Sequence, residues 1–321
     1  SVPIRPDDVA LSFLPLSHTF ERTIGYYVDI MAGCRTVYNR SVKKLLKDLQ
    51  FHRPTTIIAV PRIFERFYSR VMQSIADGSS AKRFLFDWTV SVGWKRFQTM
   101  QGRASWSPAL LLWPLLDKFV ASKIRAILGG KLRFAVIGGA PLPYDVGRLF
   151  TSLGLPLMQG YGLTESSPVI SVNTEEFNRL DTIGLPLRGV EVCIGEDDEL
   201  LVRGDNIMLG YWQNDEATAA TMTTDGWLKT GDKACFDEGF LKITGRLKDI
   251  MVLATGEKVP PADMEQALVS DPIVRQVMIV GEGKPYLSAL LVLEPHAWKA
   301  FCRANKLASD VDLNEEKVEQ L

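Results

Sequence analysis

A unit repeated through the first half of this chain restricts its fold more than any other feature: a short apolar run, a turn bearing glycine or proline, then apolar residues at helical spacing. Residues 10–16 and 56–60 read as strands. The second runs into Pro61, whose fixed φ suits a first helical turn, and Ile63, Phe64, Phe67, Val71 and Ile75 then recur on one helical face. Residues 132–137 are a third expected strand, followed by the Gly138-Gly139 turn and a helix over about 143–153 that stops at Gly154. Residues 155–159 are a fourth strand. Strands alternating with helices imply a parallel, doubly wound sheet, whose ligands lie beyond the carboxyl ends of the strands.

The pattern changes along the chain. Between Phe64 and Gly130 a long, mainly helical stretch carries Phe84, Phe86, Trp88, Trp94, Trp106 and Trp113. After Pro168 come short strands with glycine turns, at 190–194 and 199–203, and a hairpin signal at 236–240. From Arg246 onward a smaller unit follows: a strand over 250–254, a turn at Thr255-Gly256-Glu257-Lys258, a helix over 262–270, strands over 274–280 and 287–293, and a last helix opened by Glu294-Pro295. The fold class expected is α/β: a doubly wound parallel-sheet subdomain plus a β-rich subdomain, then a small α+β C-terminal domain.

Chemistry concentrates between Met158 and Pro168. Gly160 and Gly162 let backbone approach a ligand closely, Tyr161 offers a flat face for a purine, Thr164 can bond a phosphate oxygen, and Glu165 can hold a hard cation such as Mg²⁺. The competing reading is a polar turn with a satisfied tyrosine. Four such chemistries within six residues favour a nucleotide, and Gly138-Gly139-Ala140 falls at a neighbouring strand end, where it can face the same ligand.

A length of 321 residues suits roughly two domains. With 37 Lys+Arg against 38 Asp+Glu there is no basic field to recruit nucleic acid. Cys34, Cys193, Cys235 and Cys302 are scattered and form no Cys-x-x-Cys pair, so they read as reduced residues of a cytoplasmic protein. The longest apolar run, 109–116, is far short of the ~20 residues a membrane span needs; it reads as a buried helix end around Pro114, with peripheral lipid contact as the alternative. The polar start, Ser1 to Asp8, carries no signal peptide pattern and reads as an interrupted chain.

The Met158–Pro168 stretch is joined, in order, by Phe13-Leu14-Pro15-Leu16-Ser17-His18-Thr19-Phe20-Glu21-Arg22, Gly138-Gly139-Ala140-Pro141-Leu142, Asp225-Gly226-Trp227-Leu228-Lys229-Thr230-Gly231-Asp232 and Thr244-Gly245-Arg246-Leu247-Lys248-Asp249. Taken together these blocks resemble the adenylate-forming (AMP-binding) superfamily of acyl-CoA synthetases, firefly-type luciferases and peptide-synthetase adenylation domains. The helical stretch between Phe64 and Gly130 is similar to the long-chain fatty acyl-CoA synthetase branch. The resemblance implies ATP-dependent activation of a fatty acid to an acyl-adenylate, then thioester formation with coenzyme A, releasing AMP and pyrophosphate. ATP, Mg²⁺, CoA and a fatty acid are the implied ligands, with oligomeric state open.

The resemblance also implies roles. Tyr161 stacks on adenine while Gly139 and Ala140 line the other side of the base pocket; Gly162 belongs to the same nucleotide site. Thr164 contacts the α-phosphate, Glu165 binds Mg²⁺, Asp232 accepts from the ribose hydroxyls, and Arg246 reaches ribose or phosphate. Each has a plain alternative: Asp232 as a turn-former, His18 as a structural histidine instead of a substrate gate, Lys248 as an exposed lysine instead of a domain hinge, and Gly256 as a hairpin glycine instead of a thiolation turn. Residues 1–246 correspond to the later part of a large adenylation domain and 247–321 to the start of a small mobile one. Upstream of His18 there is no Ser/Thr/Gly-rich phosphate loop with a lysine, and no adenylation lysine motif follows the last helix, so weak acyl-CoA synthesis is expected of these residues alone. The alternatives are a ligase for an aromatic or branched acid, an acyl-AMP ligase that loads a carrier protein, and a nucleotide-binding module without catalysis.

Overall fold

A computed structural model describes residues 4–247, 251–269, 271 and 273–305. The chain divides into two compact units, Ser1–Thr244 and Gly245–Leu321. In the larger unit, β1 (Val9–Ser12), β2 (Arg35–Tyr38), β3 (Thr56–Ala59), β4 (Phe134–Ile137), β5 (Leu157–Gly162), β6 (Val169–Val172) and β7 (Leu185–Pro186) form one sheet, ordered β2-β1-β3-β4-β5-β6-β7. Strands β1 to β5 pair in parallel, and the β5/β6 and β6/β7 pairs are antiparallel. Since β1 lies between β2 and β3, the winding reverses there, which is where doubly wound sheets open a crevice.

The expected strands of this sheet are present with shifted ends: β1 ends at Ser12, three residues before Pro15 and short of the expected residue 16, and β5 runs on to Gly162, past the expected residue 159. β2 is an added strand: Arg35-Thr36-Val37-Tyr38 is half exposed on the sheet edge and too polar to stand out in the sequence.

Helices α1 (Thr19–Arg22) and α2 (Val28–Ala32), joined by a π-helical turn at Thr23–Tyr27, link β1 to β2, and α3 (Leu45–His52) leads to β3. α4 (Pro61–Ala76) starts at its proline and buries Ile63, Phe64, Phe67 and Val71 along one face, as their spacing predicts. Across the core is α8 (Tyr144–Ser152), whose Phe150 ring meets that of Phe64 edge-on at 5.2 Å. The helical region between them holds α5 (Ser80–Met100), α6 (Trp113–Leu116) and α7 (Ser122–Ile127). Ser79 caps α5 by accepting the Lys82 N–H at 3.3 Å. At Gly93 the helix crosses α8 so closely that a Cβ would lie 1.9 Å from the Ser152 carbonyl oxygen. The apolar run around Pro114 is two-faced, with Leu116 buried but Leu111 and Leu115 exposed. Among the described residues no helix is long and apolar enough to cross a membrane.

A second sheet, ordered β11-β10-β9-β8, comprises β8 (Val190–Ile194), β9 (Glu199–Gly204), β10 (Leu228–Asp237) and β11 (Phe240–Arg246). α9 (Asp215–Thr221) is inserted before β10, its start capped by the Asn214 side chain, which accepts from Ala217 N at 3.0 Å. The hairpin read at 236–240 is the β10/β11 turn, with both Glu238 and Gly239 at positive φ. Ile170 and Ile183 from the first sheet region pack with Leu200, Val202, Ala234 and Leu241 of the second, which seats β6 against it.

The smaller unit contains the β12 (Met251–Val252) and β13 (Lys258–Val259) hairpin, α10 (Pro261–Val269), the antiparallel pair β14 (Val274–Val280) and β15 (Ser288–Leu293), and α11 (Pro295–Ala304). Glu265 ties α10 to β14 by accepting from Ile279 N at 2.8 Å.

Candidate active site

Strand β5 leaves the core at fully buried Met158 and turns back at Gly162 through a short 3-10 turn, Thr164–Ser166. A Cβ at Gly162 would stand 1.7 Å from the Pro168 carbonyl oxygen, so the return closes only over glycine. Close backbone approach is thus needed, but by the chain's own hairpin. Buried Ser166 completes the turn: its Oγ accepts from Leu163 N at 2.9 Å and lies 2.5 Å from Pro168 O.

Most of the expected nucleotide-site residues lie at this end of the sheet. Tyr161 packs partly on the second core, and its hydroxyl donates to Asp232 Oδ2 at 2.5 Å. Asp232 is only 3% exposed, and the bend before it is held by Thr230 Oγ1, which accepts from Asp232 N at 3.1 Å. It is therefore more than a turn-former, since it anchors the aromatic ring. Thr164 is exposed and Glu165 half buried beside it. The Gly139 and Ala140 backbone is exposed at the end of β4, and Leu142 N donates to Gln159 Oε1 at 3.3 Å, joining that turn to β5.

His18 is brought to the same edge. It is exposed and caps α1, its Nδ1 accepting the Phe20 N–H at 3.2 Å. The Phe20 ring lies under Gly138, where a Cβ would be 3.0 Å from it, and Thr23 Oγ1 donates to Ser167 O at 3.4 Å. Also on α1, buried Glu21 accepts a hydrogen bond from Ser12 Oγ, and burial pushes its carboxyl up to about 7, against the Ser12 bond and with help from Asp29.

Arg246 ends β11, and Gly256 lies exposed in the β12/β13 turn at φ +82. Both belong to the smaller unit. Lys248 lies outside the described residues.

Sequence reasoning missed the loop between β9 and α9. Asn206 Nδ2 donates to the carbonyls of Ser166 and Val169, both at 3.0 Å, and Met208 N donates to Glu165 O at 2.8 Å. Tyr211 Oη donates to Glu165 Oε1 at 2.7 Å, which pushes the phenol above its ordinary 10.0, with burial adding to the effect. A glycine-flanked aromatic was the only signal for Tyr211, and 46 residues separate it from Glu165.

The doubly wound sheet, the second β-sheet and the separate small α+β unit make up the fold of the adenylate-forming enzymes. The chain belongs to the AMP-binding enzyme family: residues 2–212 match the AMP-binding enzyme model and 248–319 the AMP-binding enzyme C-terminal domain. It is 36% identical to long-chain-fatty-acid–CoA ligase FadD15 of Mycobacterium tuberculosis, over 97% of this chain and 53% of that protein. To the long-chain-fatty-acid–[acyl-carrier-protein] ligase AEE15 of Arabidopsis thaliana it is 30% identical, over 91% of this chain and 46% of that one. The chain spans about half the length of the curated relatives it matches. Its fold is that of ATP-bound MatB from Rhodopseudomonas palustris (TM-score 0.64, 23% identity, 90% of this chain, 51% of the other) and of o-succinylbenzoate CoA synthetase MenE from Bacillus subtilis in complex with its acyl-adenylate intermediate (0.65, 24%, 96%, 56%).

Proposed function

We propose that the protein containing this chain activates a long-chain fatty acid with ATP, through an acyl-adenylate, to acyl-CoA, with release of AMP and pyrophosphate. The observation that carries this reading is the 36% identity to FadD15 over 97% of the chain. The site supports it: Tyr161 offers its ring to adenine while its hydroxyl holds Asp232, whose carboxylate can accept from ribose hydroxyls. Thr164 orients the α-phosphate, and the Gly139-Ala140 backbone closes the base pocket. His18, at the reversal of the winding, gates the acyl group.

Glu165 is the residue that would hold Mg²⁺. Among the described residues no group of three or more His, Cys, Asp or Glu gathers, and a site with few protein carboxylates would suit Mg²⁺, which would draw its remaining ligands from nucleotide phosphates and water. Bound there, the ion would neutralise charge on the phosphates during adenylation. Residues 1–246 act as the later part of the adenylation domain and 247–321 as the start of the mobile domain, with Arg246 reaching ribose or phosphate, Lys248 the hinge and Gly256 the turn that admits the thiol arm.

AEE15 favours a second reading, in which the acceptor is a carrier-protein thiol. Acyl specificity is tested by thermal shift with acyl sulfamoyl-adenosines from two to eighteen carbons and with a benzoyl analogue. Affinity rising with each added CH₂, by up to ~0.8 kcal/mol, supports the long-chain reading; a preference for benzoyl contradicts it.

A further inference from the structure

We propose that Tyr211 is a positioning residue for Glu165, fixing the carboxylate so that its second oxygen faces the nucleotide-bound cation. The proposal rests on the reading of Glu165 as the cation ligand. Three observations carry it. Tyr211 Oη donates to Glu165 Oε1 at 2.7 Å and so engages one carboxylate oxygen specifically. The tyrosine is itself held, because its backbone N–H donates to Thr218 Oγ1 of α9 at 2.9 Å, and Thr218 Oγ1 in turn donates to Asn214 O at 2.9 Å. The same loop grips the turn that bears Glu165 through Met208 N to Glu165 O at 2.8 Å and through the two Asn206 bonds at 3.0 Å.

The division of labour is chemical. Asn206 and Met208 bind backbone carbonyls and so locate the turn. Of these three residues, Tyr211 alone binds the carboxylate and so orients it. Among the described residues no cluster of three or more His, Cys, Asp or Glu stands here to hold a hard cation, so the orientation of the Glu165 carboxylate, and with it the partner that sets it, matters more than in a site with several protein ligands. A hydroxyl donor is also well matched to the carboxylate, because it orients the group without adding the positive charge that would repel the ion.

The test uses Mn²⁺ as the probe, with electron paramagnetic resonance counting Mn²⁺ held by the 321-residue chain in the presence of ATP, and metal-free AMP binding measured in EDTA. Tyr211→Phe is expected to weaken Mn²⁺ binding roughly tenfold, the lower end of the range for outer partners of metal ligands, while leaving metal-free AMP affinity within twofold. Asn206→Ala, which loosens the turn without touching the carboxylate, is expected to weaken both. Glu165→Gln separates the two claims: if it abolishes Mn²⁺ binding and Tyr211→Phe has no effect, the proposal is wrong and the reading of Glu165 stands. If Glu165→Gln leaves Mn²⁺ binding intact, or the unsubstituted chain holds none, the reading of Glu165 falls and the proposal with it. Equal loss of Mn²⁺ and AMP in Tyr211→Phe would reduce Tyr211 to a structural strut and overturn the proposal.

Discussion

Replacing Glu21 by glutamine should make the larger unit more stable at alkaline pH and leave it nearly unchanged in acid. The carboxyl is 1% exposed, one oxygen accepts from Ser12 Oγ, and Oε2 is buried with no hydrogen-bond partner. Burial, and the nearby Asp29, lift its titration from the ordinary 4.5 to about 7. Unfolded, the group releases its proton near 4.5; folded, it keeps it to about 7, so folding takes up a proton across that window. Its contribution to stability therefore falls as pH rises: the penalty is absent below about 4.5, grows through the window and is complete above about 7.

At about 1.4 kcal/mol for each pH unit of displacement, the full penalty is roughly 3 kcal/mol. Glutamine has nearly the same shape and cannot ionise. Urea unfolding followed by tryptophan fluorescence reads the right unit, since every tryptophan except Trp298 lies within it. Glu21→Gln should match the unsubstituted chain to within about 1 kcal/mol near pH 5 and exceed it by roughly 2–3 kcal/mol near pH 8.5. A difference between the two proteins that stays constant across that range would refute the reasoning.

Further outcomes follow from the site and the core. Gly162→Ala forces a Cβ into the Pro168 carbonyl and should cost about 3 kcal/mol or more, visible as a lowered urea midpoint. Tyr161→Phe removes the phenol that donates to buried Asp232 and should cost about 1.5–3 kcal/mol, with AMP affinity falling in the same variant. Phe64→Ala empties the centre of the α4/α8 contact and should cost about 3–5 kcal/mol without altering relative preference among acyl analogues.

Much of this was legible in the sequence because the same residues serve local and tertiary structure. Pro61 and the spacing of Ile63, Phe64, Phe67 and Val71 specify both a helix and its buried face. The Glu238-Gly239 pair specifies both a turn and the pairing of β10 with β11. β2 escaped notice because an edge strand needs no continuous apolar run. The candidate site residues stood out one at a time in the sequence, but their connections did not. Tyr161 and Asp232 stood out separately, yet their hydrogen bond spans 71 residues and depends on two sheets meeting over Ile170 and Leu200. Gly162 stood out as a flexible glycine, but its reason is steric contact with Pro168, which only the folded hairpin reveals.

The central claim, that Tyr161, Thr164, Glu165 and Asp232 form a nucleotide site, is tested most directly by calorimetric titration of AMP into the chain and into its Asp232→Ala variant. Saturable binding that weakens at least about tenfold in the variant is the expected result, matching the loss of a charged acceptor from bound ribose. No binding to the unsubstituted chain, or equal affinity in both proteins, would contradict it.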